Sequence, residues 1–198
     1  MNNQTVDVVE SEKKPAETLI TWSGGCDSTM LLLHCLRAGD KVRTLAINHD
    51  QVASVPYEKK ARRKLKKTLL SHGYKFDHSE MSITKQNATS GGLAQAGIWL
   101  WAAIGSLNHG ENLAMAYIKA DDIWHYYGWY HQAFTSLVAI AGKSSSSLLL
   151  PLEWYTKKTI VTELRKQCLF EDTWYCETPR KNGYRCGKCV SCERMKGI

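Results

Sequence analysis

The sequence has no apolar run long enough to cross a membrane. Its first residues, Met1-Asn-Asn-Gln-Thr-Val-Asp7, lack the basic-then-apolar order of a secretion leader. A membrane or exported protein is therefore not expected, and a cytoplasmic one is. Internal repeats and long low-complexity tracts are absent. No His-x-x-x-His spacing or paired-carboxylate pattern marks a catalytic metal of the zinc-protease kind. The glycine pair at 24–25 is followed by no lysine, which excludes a Walker loop. What remains is a 198-residue chain of formal charge +7, long enough for one domain with a real core and room for a small appendage. Residues 1–17 are polar and read as a flexible tail.

Apolar and polar segments alternate in a β–α rhythm. Strands are expected at Thr18–Trp22, Val42–Asn48, Tyr74–Met81, Asn112–Ile118 and Leu148–Leu150. Helices are expected at Cys26–Leu36, Tyr57–His72, Leu93–Leu107, Gln132–Ala141 and from a Thr156 cap to about Gln167. In the second helix, Ala61, Leu65, Leu69 and Leu70 fall on one side, and Gly73 suits its end. Such alternation predicts an α/β fold, a doubly wound and mostly parallel sheet, with ligands at the carboxyl ends of the strands. Residues 23–28, Asn48–Gln51 and Lys119–Asp122 lie at such ends. The basic run Lys59, Lys60, Arg62, Arg63, Lys64, Lys66 and Lys67 reads as one solvated helix face. Nucleic acid is a possible partner for it, though not the favoured one.

Ser23-Gly-Gly-Cys-Asp-Ser28 follows the first strand and opens the first helix. Two glycines allow a tight turn and close backbone approach to an anion, and the helix start presents free N–H groups and its positive dipole end. Ser23 and Ser28 add hydroxyl donors. With no lysine in the loop, positive charge must come from Mg²⁺ or from distant basic residues. Asp27 would organise Mg²⁺ or pin the loop. The plainer reading is a Gly-Gly turn with an Asp helix cap.

Seven cysteines are present, four of them in the last 23 residues: Cys176, Cys186, Cys189 and Cys192, spaced C-x9-C-x2-C-x2-C. Four thiolates satisfy a closed tetrahedral Zn²⁺ with no open position, a structural staple. Lys181, Arg185, Lys188, Arg194 and Lys196 would offset its charge. Disulfides fit poorly without a secretion leader, and iron–sulfur clusters also use C-x-x-C-x-x-C. Cys35 reads as a buried small hydrophobe. Cys168 has no assigned role.

The Ser-Gly-Gly-x-Asp-Ser hexapeptide resembles the signature of the PP-loop ATP pyrophosphatases (the adenine nucleotide alpha hydrolase-like fold), which transfer AMP from ATP to a substrate oxygen. Together with the C-terminal spacing, Thr173-Trp-Tyr-Cys176, Cys186-Gly-Lys-Cys-Val-Ser-Cys-Glu-Arg194, and Pro151 followed by Thr156-Lys-Lys-Thr-Ile160, it closely resembles the 7-cyano-7-deazaguanine synthase (QueC) family from about Thr18 to Gly197. The resemblance implies a PP-loop domain at 18–168 and a zinc segment at 169–198. It implies ATP with Mg²⁺, ammonia and a small deazapurine as partners, and a carbon–nitrogen ligase chemistry of the queuosine type; a homodimer is also expected. It places catalytic Ser23, Asp27 and Ser28, with Gly24, Gly25, Cys26, Asn48 and Asp122 also at the nucleotide. The chain departs from the family where Tyr117 and Lys119 replace Gly and Asn before Asp122, where the Tyr-Pro-Asp-Cys-Arg element is missing, and near Leu93–Ile98. The half that would read the base is thus altered. A tRNA-thiolating enzyme and a non-catalytic nucleotide-binding scaffold are the competing functions.

Trp124, His125, Tyr126, Tyr127, Trp129, Tyr130 and His131 form an aromatic patch, suited to stacking on a purine-like ring or to a core edge or dimer surface. His49 and Asp50 end a strand and could touch adenine, ribose or Mg²⁺; a plain strand-end turn is the alternative.

Overall fold

The apolar run ahead of the two glycines forms β1, Glu17–Thr21, in which Thr18, Leu19 and Ile20 are all fully buried. A strand buried on consecutive residues is covered on both faces, as expected at the centre of a parallel sheet. A computed structural model describes residues 15–50, 52–84 and 92–198, with the backbone alone for 92–95. Most of the expected tail and Gln51 lie outside these residues, as do the side chains of Leu93–Gln95 in the Leu93–Ile98 stretch. Its expected end at residue 17 is moved, because Glu17 already pairs with Lys41 in the sheet.

The remaining elements are α1 (Cys26–Arg37), β2 (Lys41–His49), α2 (Val55–Ser71), β3 (Asp77–Ile83), α3 (Gly92–Ser106), β4 (Asn112–Ala114), α4 (Tyr127–Ile140), β5 (Leu148–Leu149), α5 (Lys157–Lys166) and α6 (Val190–Glu193). The sheet order is β3-β2-β1-β4-β5, and every pair is parallel. The chain therefore winds outward both ways from β1. Leu31, Leu65, Leu69, Ile160 and Leu164 bring α1, α2 and α5 onto one face with Ile20. Leu100, Ile104, Phe134 and Val138 bring α3 and α4 onto the other with Leu19. Adjacent residues of one strand thus seed two separate cores, as pleat alternation requires.

Several boundaries differ from those expected. β4 stops at Ala114: Met115 N–H still donates to Leu149 O at 3.1 Å, but the next donor beyond β5 would be Pro151, which has no N–H to extend the ladder. β3 begins at Asp77, and Tyr74 and Phe76 instead pack against the core. α4 starts at Tyr127, behind a 3-10 turn at Asp122–Tyr126, so the aromatic patch is helical. Leu70 is 47% exposed. The basic run is not one solvated face: Arg62 is 2% exposed. Thr156 caps α5 as expected, accepting from Thr159 N–H at 3.2 Å.

At the amino end of the sheet, Arg43 binds the buried Glu111 through two charge-assisted bonds of 2.8 and 2.6 Å. Arg43→Met should leave the Glu111 carboxylate buried without its cation. The expected cost is about 3 kcal/mol, read from urea unfolding followed by circular dichroism.

Candidate nucleotide and metal site

At the opposite, carboxyl end, β1 delivers residues 23–28 to the start of α1. Gly24 has φ +86, and a Cβ there would lie 2.9 Å from Arg62 Cγ and 3.2 Å from the Glu58 carbonyl oxygen. The position is thus closed to other residues by backbone conformation and by space. Gly25 is the N-cap of α1, and no side chain caps that helix. The first-turn N–H groups are left to face the concave side of the loop, the arrangement that binds anions. Ser23 Oγ accepts from Gly25 N–H at 3.2 Å and lies 3.0 Å from Ser28 Oγ. Ser28 donates to Gly25 O at 3.3 Å. The two serines therefore brace the turn as well as lining it.

Beneath the loop, the buried Arg62 donates to Ser23 O at 2.9 Å, to Asn48 Oδ1 at 2.8 Å and to Glu80 Oε1 at 3.1 Å. Asn48 Nδ2 also donates to Glu80 at 3.2 Å. Asn48, expected at the nucleotide, has both ends of its amide engaged in this network. Arg62, with His78, holds the Glu80 carboxyl below the usual range against the upward push of burial. A signal for Arg62 was present in the sequence: positions 62, 65 and 69 fall on one helical stripe.

The missing loop cation is Lys157. Its ammonium lies 2.5 and 2.7 Å from the Asp27 carboxylate oxygens. Burial pushes the Asp27 carboxyl up, while Lys157 pulls it down. Asp27 thus ties the loop to the start of α5. Beside it, Asp121 rather than Asp122 is engaged. Asp121 accepts from Ile118 N–H at 2.9 Å and from Arg194 at 3.0 Å, whereas Asp122 is exposed. Tyr130 is buried under Tyr117 and Met115, and Trp124 donates to Ile118 O at 2.7 Å; Trp129 is 69% exposed. The aromatic patch is therefore split between core and surface. His49 packs edge-on against Trp99, and its buried Nε2 has no partner among the described residues.

The third wall comes from the C-terminal segment. Trp174 N–H donates to Gly24 O at 3.0 Å, and Cys26 Sγ lies 3.2 Å from Thr173 Oγ1. Two residues later Cys176 begins the cysteine cluster. The sulfurs of Cys176, Cys186, Cys189 and Cys192 all lie within 4.8 Å of one another. Cys186 and Cys192 are 3.9 Å apart, close to the roughly 3.8 Å edge of a tetrahedron with metal–sulfur bonds of about 2.3 Å. Gly187, at φ +75, turns the chain so that the Lys188 and Cys189 N–H groups reach Cys186 Sγ at 3.4 and 3.2 Å. With the Thr178 hydroxyl, these donors pull the Cys186 thiol down to about 5. Burial pushes Cys192 up to about 12. The donor set fits a metal such as zinc, which would hold all four as thiolates. Arg194 and Arg185 join the surroundings of the cluster to the rest of the chain; Lys181 and Lys188 are exposed.

Residues 128–197 match the family described as Queuosine biosynthesis protein QueC. That span includes Lys157 and all four clustered cysteines but not the loop at 23–28. No curated protein matches the chain. Among solved structures, it is similar to a predicted subunit of tRNA methyltransferase from Methanocaldococcus jannaschii, at 15% identity and TM-score 0.55 over 76% of this chain and 74% of that one. It is similar to a 4-thiouridine synthetase in complex with RNA and bound ATP, at 15% identity and TM-score 0.55 over 79% and 42%. NMN synthetase from Francisella tularensis matches at 14% and 0.53 over 91% and 72%. These likenesses establish the PP-loop fold.

Gly24→Ala should lower stability by about 1–3 kcal/mol, because its methyl group meets Arg62. Gly39, at φ +80 with nothing within 4 Å, provides the control. Gly39→Ala should cost about 1 kcal/mol, the conformational term alone. Paired denaturant titrations test the difference.

Proposed function

We propose that this divergent QueC-like chain is an ATP-dependent ligase that activates the carboxylate of a 7-deazaguanine by AMP transfer and replaces its oxygen with nitrogen. The observation that carries the reading is the junction at Thr173–Cys176, which closes the glycine loop and also supplies the first cysteine of the cluster. That contact supports reading the glycine loop as a phosphate cradle that shares one site with the QueC-like C-terminal segment.

A ring carboxylate is a poor electrophile. Its oxygen attacks the α-phosphorus of ATP, and pyrophosphate departs. Ammonia adds to the acyl-adenylate and expels AMP, leaving the amide and a proton. A second AMP transfer, to the amide oxygen, followed by loss of AMP and a proton, gives the nitrile. The chain's work is positioning and charge neutralisation. The loop N–H groups and the Ser23 hydroxyl receive the phosphates. Lys157 adds a positive charge that the loop itself lacks, and Asp27 holds it there. Mg²⁺ arrives with ATP; Asp27 would be its ligand in the chain only by giving up one of its two contacts to Lys157. Arg62 fixes the Ser23 carbonyl from behind. The half that reads the base includes the departures at Tyr117 and Lys119.

Asp27→Ala and Ser23→Ala should abolish AMP formation without unfolding the chain. ATP–pyrophosphate exchange with and without 7-carboxy-7-deazaguanine measures the activation step, and mass spectrometry identifies the amide or nitrile. Exchange stimulated by tRNA and not by the base would replace the substrate, and no exchange with either would favour a scaffold. We assign zinc to the cysteine cluster. One zinc per chain is expected by elemental analysis. Chelation should lower the melting temperature, and the metal should be lost as pH falls, because protons compete for the thiolates. Iron, or a folded metal-free sample, would overturn this assignment.

A further inference from the structure

The basic run on α2 divides into side chains with partners and side chains without. Arg62 is buried, Lys59 faces Glu80 at 3.9 Å, and Lys64 pairs with Asp172 at 3.2 Å. Lys60, Arg63 and Lys67 are exposed, and no carboxylate pairs with them among the described residues. Their spacing of three and four puts them in one row along the helix. The local density of like charge is uncompensated, and such a row attracts a polyanion.

The row leads toward a groove. Tyr57, one turn before Lys60, stacks on Trp174 with ring centroids 4.6 Å apart and planes 17° from parallel. A Cβ on Gly183 would lie 3.3 Å from Tyr57 Oη, so the turn at 180–184 stands directly against α2. Trp174, Arg180, Gly183, Tyr184 and Arg185 line an open groove of about 440 Å³ there. Its chemistry is cationic and aromatic. Tyr184 is 70% exposed. Arg185 lies over the Tyr175 ring at 4.1 Å, and its buried Nε lacks a hydrogen-bond partner. The far wall, Trp174, is the residue that binds Gly24 O.

We propose that this surface holds a single strand of nucleic acid, with its phosphates along Lys60, Arg63 and Lys67 and a base against Tyr184 in the groove. Regularly spaced cations alone would suit any polyanion. The exposed ring beside two arginines adds a platform that a base can stack on. Duplex would keep its bases from such a platform. The inference is independent of the adenylation chemistry, since it concerns the outer side of α2 and not the inner side of the glycine loop.

The test is fluorescence anisotropy with labelled 20-nucleotide RNA and DNA single strands, without ATP, across a salt series. The triple variant Lys60→Gln, Arg63→Gln, Lys67→Gln should bind at least tenfold more weakly. The slope of log affinity against log salt should shrink by about 2, at roughly 0.7 per phosphate contact. Tyr184→Ala should cost roughly fivefold or more. Lys41→Gln, Lys75→Gln, Lys166→Gln removes the same charge elsewhere on the surface and should change binding less than twofold. Circular dichroism confirms folding of each variant. Equal losses in the two triple variants would overturn the proposal, as would indifference to Tyr184→Ala. Binding to anionic phospholipid vesicles with none to either oligonucleotide would also overturn it.

Discussion

The site depends on how closely three chain segments meet at one backbone position. Gly24 has no Cβ, so α2 can press Arg62 against it. Its carbonyl oxygen takes the backbone N–H of Trp174. A side chain at 24 would meet Arg62 Cγ, so Arg62 or the loop would have to shift, loosening the contacts that Arg62 makes to Ser23 O, Asn48 and Glu80. The left-handed conformation and the crowding are two faces of the same demand: a loop open to an anion on its concave side must be filled on its convex side. Here that filling is the Arg62 side chain: its Cγ lies against Gly24, and its guanidinium donates to the Ser23 carbonyl oxygen.

Charge around the loop is handled in pairs set on different elements. Lys157 is held by Asp27, and Arg194 by Asp121. One pair ties the loop to the start of α5, and the other ties the turn at 118–121 to the C-terminal segment. A substitution at Asp121 would disturb the cysteine segment through Arg194 as much as the turn at Ile118.

Much of this was legible in the sequence, for identifiable reasons. The β–α rhythm, the glycine loop and the cysteine spacing are local patterns, and local geometry writes them directly. The partners of the loop were not legible in the same way. Lys157 lies 130 positions from Asp27, and nothing in either neighbourhood announces the other. Arg62 was hidden by composition, since six basic neighbours made it look like one more solvated side chain, although its place on the stripe with Leu65 and Leu69 set it apart. The resemblance points to Asp122, while the turn at Ile118–Asp121 and Arg194 engage its neighbour Asp121, a pairing that two adjacent acids in a sequence do not reveal. The length of β4 was overestimated because apolar character continues to Ile118, while the ladder stops for want of a donor at Pro151.

The hydrogen bond from Trp174 to Gly24 also bears on the order in which the chain can become functional. Residues 23–28 leave the ribosome early, and β1, α1 and β2 can pair as soon as they emerge. The wall that completes the loop is about 150 residues behind, and closing so long a span carries an entropic cost that only the assembled sheet offsets. During synthesis the glycine loop therefore exists for a time without its third side. A nascent chain of this protein would be folded over most of its sheet before its glycine loop took final shape.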